Sequence, residues 1–518
     1  MPGPVLGQPF AMPMLKTFIP KSLQPWLYLV CGVIFQLVNT IYLGSMQQMM
    51  GATQLMQEDI TFIFVCGEVG VAMPFPVLFR LKFRYTNRQL ELFAVGGMTV
   101  CVLLTLALFN FTDVHQTMPL LCMISFCCGY MKLMATFEVF SNIQLWMTPR
   151  RDFRIFFPLL YTIVLGDISA NSWISQQLTY YSGSWQTMQW LIVGLLLLVF
   201  LFMFVATRPF RFMKPLPFIS IDWLGLVLWS LSILMCIWLF LYGEHYNWGD
   251  VAVWRHVLLA EIVTVAFTLR RMFRIHHPYL SPRAFGYKTL VPILAMFAVA
   301  EVMNSTPQVL QTTYAGAVMH WGMMTLSPLN LVSLAGSATG CLFCLWWMKM
   351  TRQPYTRLLT IGFGLLLCYQ VMMYFLVFPG LAFDFLVAPT FLRSFGYSIF
   401  FTTLTVYLEE LMPFQHFFMG LTICGFIRNG LMANVTEGVF SYLLRHNVMD
   451  NLVSAQCYTH GASMLSAIKQ LFGAMCICGC AFMLLLMLWH VKPVRSTLKR
   501  LPFWEKLGRQ MRKELSRQ

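Results

Sequence analysis

Charge is what this chain has least of. Only 11% of its 518 residues are Asp, Glu, Lys or Arg, and 58% are hydrophobic; an ordinary soluble domain carries about 25% charged residues. Mean hydropathy is +0.67. So few charges cannot cover so much apolar surface in water, which excludes a soluble globular fold and leaves the bilayer as solvent. Acids are scarcer than bases, 20 against 35, for a net charge of +15. A basic excess can mark nucleic-acid binding. Here the basic residues fall in short clusters between apolar runs, with a longer run at the C-terminus. That is the distribution of cytoplasmic loops, and no nucleic-acid partner is expected.

Other absences narrow the function. The 15 cysteines lie mostly inside apolar runs, such as Cys127-Cys128 and Cys476, Cys478 and Cys480. No loop pairs them at disulfide or zinc spacing, and Cys-x-Cys-x-Cys splays around a helix, so they read as small hydrophobes. His276-His277, His245 and His256 show no convergent metal-ligand spacing. No serine motif, glycine-rich phosphate loop or paired catalytic carboxylate is present. The expectation is a protein that is not an enzyme and needs no metal or cofactor. The opening stretch, MPGPVLGQPFAMPMLKTFIPKSLQPW, has its apolar patches broken by prolines and no small-residue cleavage site, so it is not read as a signal peptide.

What the chain does have is long apolar runs. A spanning helix needs about 20 apolar residues, and about fourteen runs qualify. They lie near 26–47, 59–79, 89–110, 118–141, 155–178, 187–207, 220–242, 252–269, 289–312, 325–348, 357–377, 383–408, 417–440 and 464–489, and are called spans 1 to 14 below. With residues 1–25 inside, one set of loops collects Lys16 and Lys21; Arg80, Lys82, Arg84 and Arg88; Arg150, Arg151 and Arg154; Arg208, Arg211 and Lys214; Arg270, Arg271, Arg274, Arg283 and Lys288; Lys349, Arg352 and Arg357; and the tail from Lys492 to Arg517. The opposite loops keep only Arg255 and Arg445. This bias predicts an even number of spans with both ends cytoplasmic. The connection around Glu409-Glu410 breaks the pattern. The tail over 490–518 fits either an interfacial helix on anionic lipid or a solvated basic extension.

Several ionisable residues nevertheless fall inside spans: Glu68, Lys132, Glu138, Asp167, Glu261, Glu301, Arg393, Arg428 and Glu437. A charge at mid-membrane costs about 2.5–3.5 kcal/mol on insertion scales, so these should face protein or water. Their polar neighbours follow helical spacing. Span 1 offers Gln36, Asn39, Thr40 and Gln47; span 4 offers Glu138, Ser141 and Asn142; span 5 offers Asp167, Asn171 and Ser175; span 9 offers Glu301, Asn304, Ser305, Gln308 and Thr312. Polar faces on separate helices predict a shared hydrated pathway. The competing reading is a set of ion pairs and hydrogen bonds welding helices together. For Asp167 the first is favoured; for Asn171 and Ser175, the second.

Several stretches resemble the fourteen-span drug:proton antiporter branch of the major facilitator superfamily. Pro307-Gln308-Val309-Leu310-Gln311 with Tyr314 resembles its P-Q-x-L-Q-x-x-Y segment, and Asp222-Trp223-Leu224-Gly225 its D-W-x-G at the first inserted span. Asn247-Trp248-Gly249, Phe391-Leu392-Arg393-Ser394-Phe395-Gly396 and the Arg428 stretch GFIRNGLMANV are similar to its outer turn, its span-12 arginine-glycine stretch and its span-13 arginine. The chain departs from the branch elsewhere. The loop Phe79 to Arg88 keeps Leu81 and Arg84 of G-x-L-A-D-R-x-G-R but not the acid or the glycines. Val38 and Ser125 stand where the branch has an aspartate and an arginine. Ala170 to Ser175 replaces the proline-glycine kink of span 5.

The resemblance implies an all-α integral membrane fold: a cytoplasmic segment (1–25), a six-helix bundle (26–207), two inserted helices with their loops (208–270), a second six-helix bundle (271–489) and the tail (490–518). It implies a substrate site between the bundles, lined by spans 1, 4, 9 and 12. Asp167, Glu68 and Glu301 are then the proton-coupling candidates and Lys132 and Arg428 their charge partners, with a Glu68–Arg428 pair across the halves. Gln36, Asn39, Glu138, Asn304, Gln308 and Arg393 are the lining candidates. The expected function is secondary active, proton-coupled export of amphipathic compounds. Uptake, lipid or siderophore transport on the same fold, or a non-transporting sensor, are the alternatives. The partners implied are the substrate, protons and lipid, with a periplasmic adaptor and outer-membrane channel by family inference alone.

Overall fold

A computed structural model describes residues 15–16, 18–20, 22–147, 152–209, 221–275, 277–287, 290–351, 355–412, 414–453 and 460–488. The tail 490–518, residues 1–14, and Lys21, Arg150, Arg151, Arg211, Lys214, Lys288 and Arg352 lie outside the described residues, as do the side chains of Arg80, Arg283 and Gln308. The described chain is helical throughout, and its one β-bridge joins Leu15 to Thr207.

The helices are α1 (Gln24–Leu37), α2 (Met46–Thr53), α3 (Gln57–Ala72), α4 (Phe75–Arg84), α5 (Asn87–Phe111), α6 (Val114–Met147), α7 (Phe153–Ser182), α8 (Thr187–Ala206), α9 (Trp223–Leu241), α10 (Ala252–Arg274), α11 (Pro282–Phe285), α12 (Leu290–Thr306), α13 (Met323–Met350), α14 (Tyr355–Leu376), α15 (Val387–Leu411), α16 (Phe414–Gly425), α17 (Ala433–Val453) and α18 (His460–Leu488). Among the described residues, 11 helical runs are long and apolar enough to cross a membrane. The chain is therefore a multi-pass, all-α membrane protein. Helical segments also occupy spans 1, 12 and 13: the short apolar α1, the more polar α15, and α16–α17.

Local chemistry sets several boundaries. Thr86 and Gln89 form a reciprocal capping box at α5: Gln89 N donates to Thr86 Oγ1 at 3.3 Å, and Thr86 N donates to Gln89 Oε1 at 3.1 Å. Asp152 caps α7 through Arg154 N at 3.0 Å, and Gly183 ends it in the left-handed region, φ +69°. Asp222 caps α9 through Gly225 N at 2.9 Å; a Cβ on Gly225 would strike that carboxylate, which accounts for the glycine of D-W-L-G.

α1, α3, α5, α6 and α8 form one packed group, and α12, α14, α15, α17 and α18 a second. α7 of the first lies along α13 of the second. The closest crossing is α3 on α6, where a Cβ on Gly129 would overlap the Gly67 carbonyl; small residues let the two backbones touch. α9 packs against α3 and α17, so it bridges the groups, while α10 touches mainly α9 and is exposed along almost its whole length.

Spans 1, 9 and 13 are not the continuous α-helices their hydropathy predicts. Span 1 stops at Leu37, runs extended through Val38 (φ −75°, ψ 118°) and restarts through a 3₁₀ turn at Leu43–Ser45. The sequence Val38-Asn39-Thr40-Ile41 gives the reason: β-branched side chains and an asparagine disfavour helix, and Asn and Thr offer the backbone other hydrogen bonds. Span 9 continues α12 through π turns at Pro307–Gln311 and Tyr314–Val318, and span 13 carries another at Phe426–Met432. Such turns recur at functional sites.

Candidate substrate and ion pathway

The break in span 1 organises the first half. Exposed backbone groups are tolerated at membrane depth only where protein satisfies them. Here side chains from α8 and α7 do so, and one from α6 holds the Thr40 hydroxyl. Gln189 of α8 donates to Thr40 O at 2.7 Å, the Thr40 and Ser125 hydroxyls meet at 2.8 Å, and Asn171 of α7 donates to Gln36 O at 3.4 Å. Within the break, Tyr42 Oη donates to Leu37 O and accepts from Asn39 N, both at 3.0 Å. Gly44 sits so close to Ser172 O and Ser175 Oγ that a Cβ would clash with both. The polar ladder of span 5 is therefore the seat for the break in span 1.

Two predicted charges lie beside this break. Lys132 is buried, and its Nζ donates to Asn39 Oδ1 at 3.3 Å; no carboxylate pairs with it among the described residues. Asp167 Oδ2 accepts from Asn171 Nδ2 at 2.9 Å, and its charged neighbours are Lys132 and Glu68. Glu68 on α3 makes no hydrogen bond among the described residues. Gln36 donates to Thr136 Oγ1 at 3.0 Å, so its amide welds α1 to α6.

The second half gathers Glu301, Tyr397 and Arg428. Tyr397 Oη donates to Glu301 Oε1, and the Arg428 guanidinium stacks on Phe401, 4.7 Å from the ring centroid. Arg428 has Tyr397, Glu301, Glu68 and Tyr161 as its polar neighbours. The expected Glu68–Arg428 pair is thus a proximity across the halves without a direct bridge. Glu68 also neighbours Asp167, which places it between the two clusters. Asn304 is partly exposed one turn from Glu301 on α12. Arg393 lies over the ring of Tyr369 at 5.8 Å.

Glu138 is placed differently from its expectation. It forms a buried ion pair with Lys82 at 3.1 Å, and Lys82 also donates to Ser141 Oγ at 2.6 Å. The pair joins α4 to α6 inside the first half and does not line a passage between halves. Glu261 likewise serves packing: Ser232 of α9 donates to its Oε1 at 2.8 Å, holding α10 to α9.

Three features were missed. Glu91 on α5 is fully buried, with both carboxylate oxygens lacking partners, near Glu138 and Lys82. Arg154 bonds Glu410 at 2.6 Å and faces the Tyr355 ring, tying α7 to α15 and α14 across the halves. This accounts for the acidic connection that broke the loop-charge pattern. Asp222 accepts from Arg271 Nη2 at 2.7 Å and from Tyr279 N at 3.2 Å, so its D-W-x-G position binds both inserted helices and the linker.

At the basic-loop end the halves close over an aromatic column. Phe153 stacks on Phe157 (5.3 Å) and Phe157 on Tyr161 (5.7 Å); Tyr161 meets Phe401 edge-on (5.0 Å), and Phe417 of α16 packs on Phe157 (6.1 Å). At the opposite end the halves touch through amides: Gln177 donates to Ser327 and Asn330 to Gln176, each at 3.0 Å. No protein-family model matches the chain, and no curated protein matches it.

Proposed function

We propose that this chain is a secondary active transporter of the major facilitator kind, in the fourteen-span drug:proton antiporter branch. In this reading it sits in the plasma (inner) membrane with both termini cytoplasmic and exports amphipathic organic compounds against proton entry. The observation that carries the reading is the row Lys132, Asp167, Glu68, Arg428 and Glu301, which crosses from one half to the other beside broken helices. Intramembrane charges kept without direct pairing mark ion and substrate pathways.

Asp167 is the proposed proton carrier. Asn171 fixes one carboxylate oxygen, which leaves the other for a proton. Ionised, Asp167 is drawn to Lys132 and repelled by Glu68; protonated, it releases both. Moving that balance shifts the seat of span 1, since Asn171 also holds the Gln36 carbonyl. Opening toward the basic loops requires the aromatic column to part and Arg154 to leave Glu410. Alternating access follows if the protonation state of Asp167 biases which end is closed.

The test is transport in proteoliposomes under an imposed pH gradient, with a panel of cationic, neutral and anionic amphiphiles and an internal pH dye. Wild-type protein moves a member of the panel in proportion to the gradient. Asp167→Asn retains thermal stability but loses the gradient dependence. Full gradient-driven transport by that variant overturns the proton role, and no gradient-driven movement of any compound contradicts the transporter reading.

A further inference from the structure

The cations of the molecule divide sharply. Lys82, Arg154 and Arg271 each reach a carboxylate, and Arg428 has Glu301 and Glu68 beside it. Arg393 has none: among the described residues it forms no ion pair and donates no hydrogen bond, and its Nε is shut off from solvent without an acceptor. Arginine cannot discard its charge, so an interior guanidinium persists only where something compensates it.

Its surroundings are built rather than accidental. The guanidinium lies 5.8 Å from the centroid of Tyr369, a fully buried ring on α14. Tyr369 Oη donates at 2.9 Å to Gln311 Oε1, which projects from the π turn Pro307–Gln311. A ring face compensates part of a cation's charge and leaves its fork of N–H donors unused. Thr390, three residues earlier on the same face of α15, has a buried hydroxyl with no partner. Tyr397 lies one turn later on that face, so the position adjoins the Glu301 and Arg428 cluster. Arg393 itself is only partly buried, so part of its surface stays reachable.

We propose that Arg393, set on Tyr369, is an anion-binding subsite that takes the oxyanion head (carboxylate, phosphate or sulfate) of an amphipathic molecule. This rests on the transporter reading for its role but not for its test. A planar guanidinium with free donors matches an oxyanion in charge and in geometry. The substrate class is thereby narrowed from amphipathic compounds in general to anionic or zwitterionic ones.

The experiment measures binding by the full chain in phosphatidylcholine nanodiscs, with dodecyl phosphate and dodecyltrimethylammonium as probes of equal chain length. Wild-type protein binds dodecyl phosphate at least tenfold more tightly. Arg393→Gln loses that advantage while dodecyltrimethylammonium binding is kept or strengthened, which shows the variant is folded. Arg393→Lys, with a charge but no fork, falls between. Adding phosphatidylglycerol to the nanodisc separates two sources of the head group: competition with dodecyl phosphate in wild type but not in Arg393→Gln assigns a lipid, and no competition assigns a free solute. Equal affinity of wild type for the two probes, or dodecyl phosphate binding that survives Arg393→Gln, overturns the assignment. Nothing is transported in this assay, so its failure leaves the proton test standing, and the failure of that test leaves this one.

Discussion

The basic-loop end and the middle of the molecule treat buried charge in opposite ways. At the loop end three cations have ionic partners, Lys82 with Glu138, Arg154 with Glu410 and Arg271 with Asp222, while Glu91 lies beside the first pair with no hydrogen-bond partner of its own. In the middle, Lys132 is held by an asparagine, Asp167 by an asparagine, Glu301 by a tyrosine, and Arg393 by a ring. The pairs join α4 to α6, α7 to α15 and α10 to the start of α9, so they fasten the scaffold. Neutral partners stabilise a charge less and release it more readily, which suits groups that must change protonation or take a ligand.

That contrast can be broken most forcefully at Glu138. Truncation to Ala removes the carboxylate that pairs with Lys82 and should cost about 3–5 kcal/mol, read as a large fall in thermal stability in detergent. Replacing both partners, Lys82→Met with Glu138→Leu, should restore stability, from neutral to about 1–4 kcal/mol above wild type. A double variant as unstable as the single one would show that Glu138 does more than pair. The middle should respond with the opposite sign. Lys132→Met removes a charge that no carboxylate pairs with directly, so stability should hold or rise by about 0.5–2 kcal/mol while pH-driven transport is lost. A strong loss of stability there would erase the difference between the two regions.

The sequence made the division only partly readable. Spans 3 to 8 and 10, 11 and 14 fall on helices of the expected type, because hydropathy and basic loops are local signals. The D-W-x-G stretch was legible as a helix start, and its Asp222 does cap α9. Its bond to Arg271, 49 residues away, was not legible. Glu138 and Ser141 carry the same helical spacing as a pathway-lining face, and only the position of Lys82 on another helix separates the two readings. The break in span 1 was hidden for a similar reason. Val38 to Ile41 disfavours helix only weakly, and the groups that hold the opened segment, Gln189, Ser125 and Asn171, come from distant helices. What a lone sequence cannot weigh is whether a buried charge meets an ion or an amide.

In the proposed mechanism Asp167, with its neutral partner, takes up and releases the proton, while Glu301 stays tied to Tyr397. Infrared difference spectroscopy of the reconstituted protein between two pH values reads this directly, through the carbonyl stretch of protonated carboxylic acids. The expected result is a pH-dependent band that disappears in Asp167→Asn and survives in Glu301→Gln. A band that survives in Asp167→Asn and disappears in Glu301→Gln would contradict it.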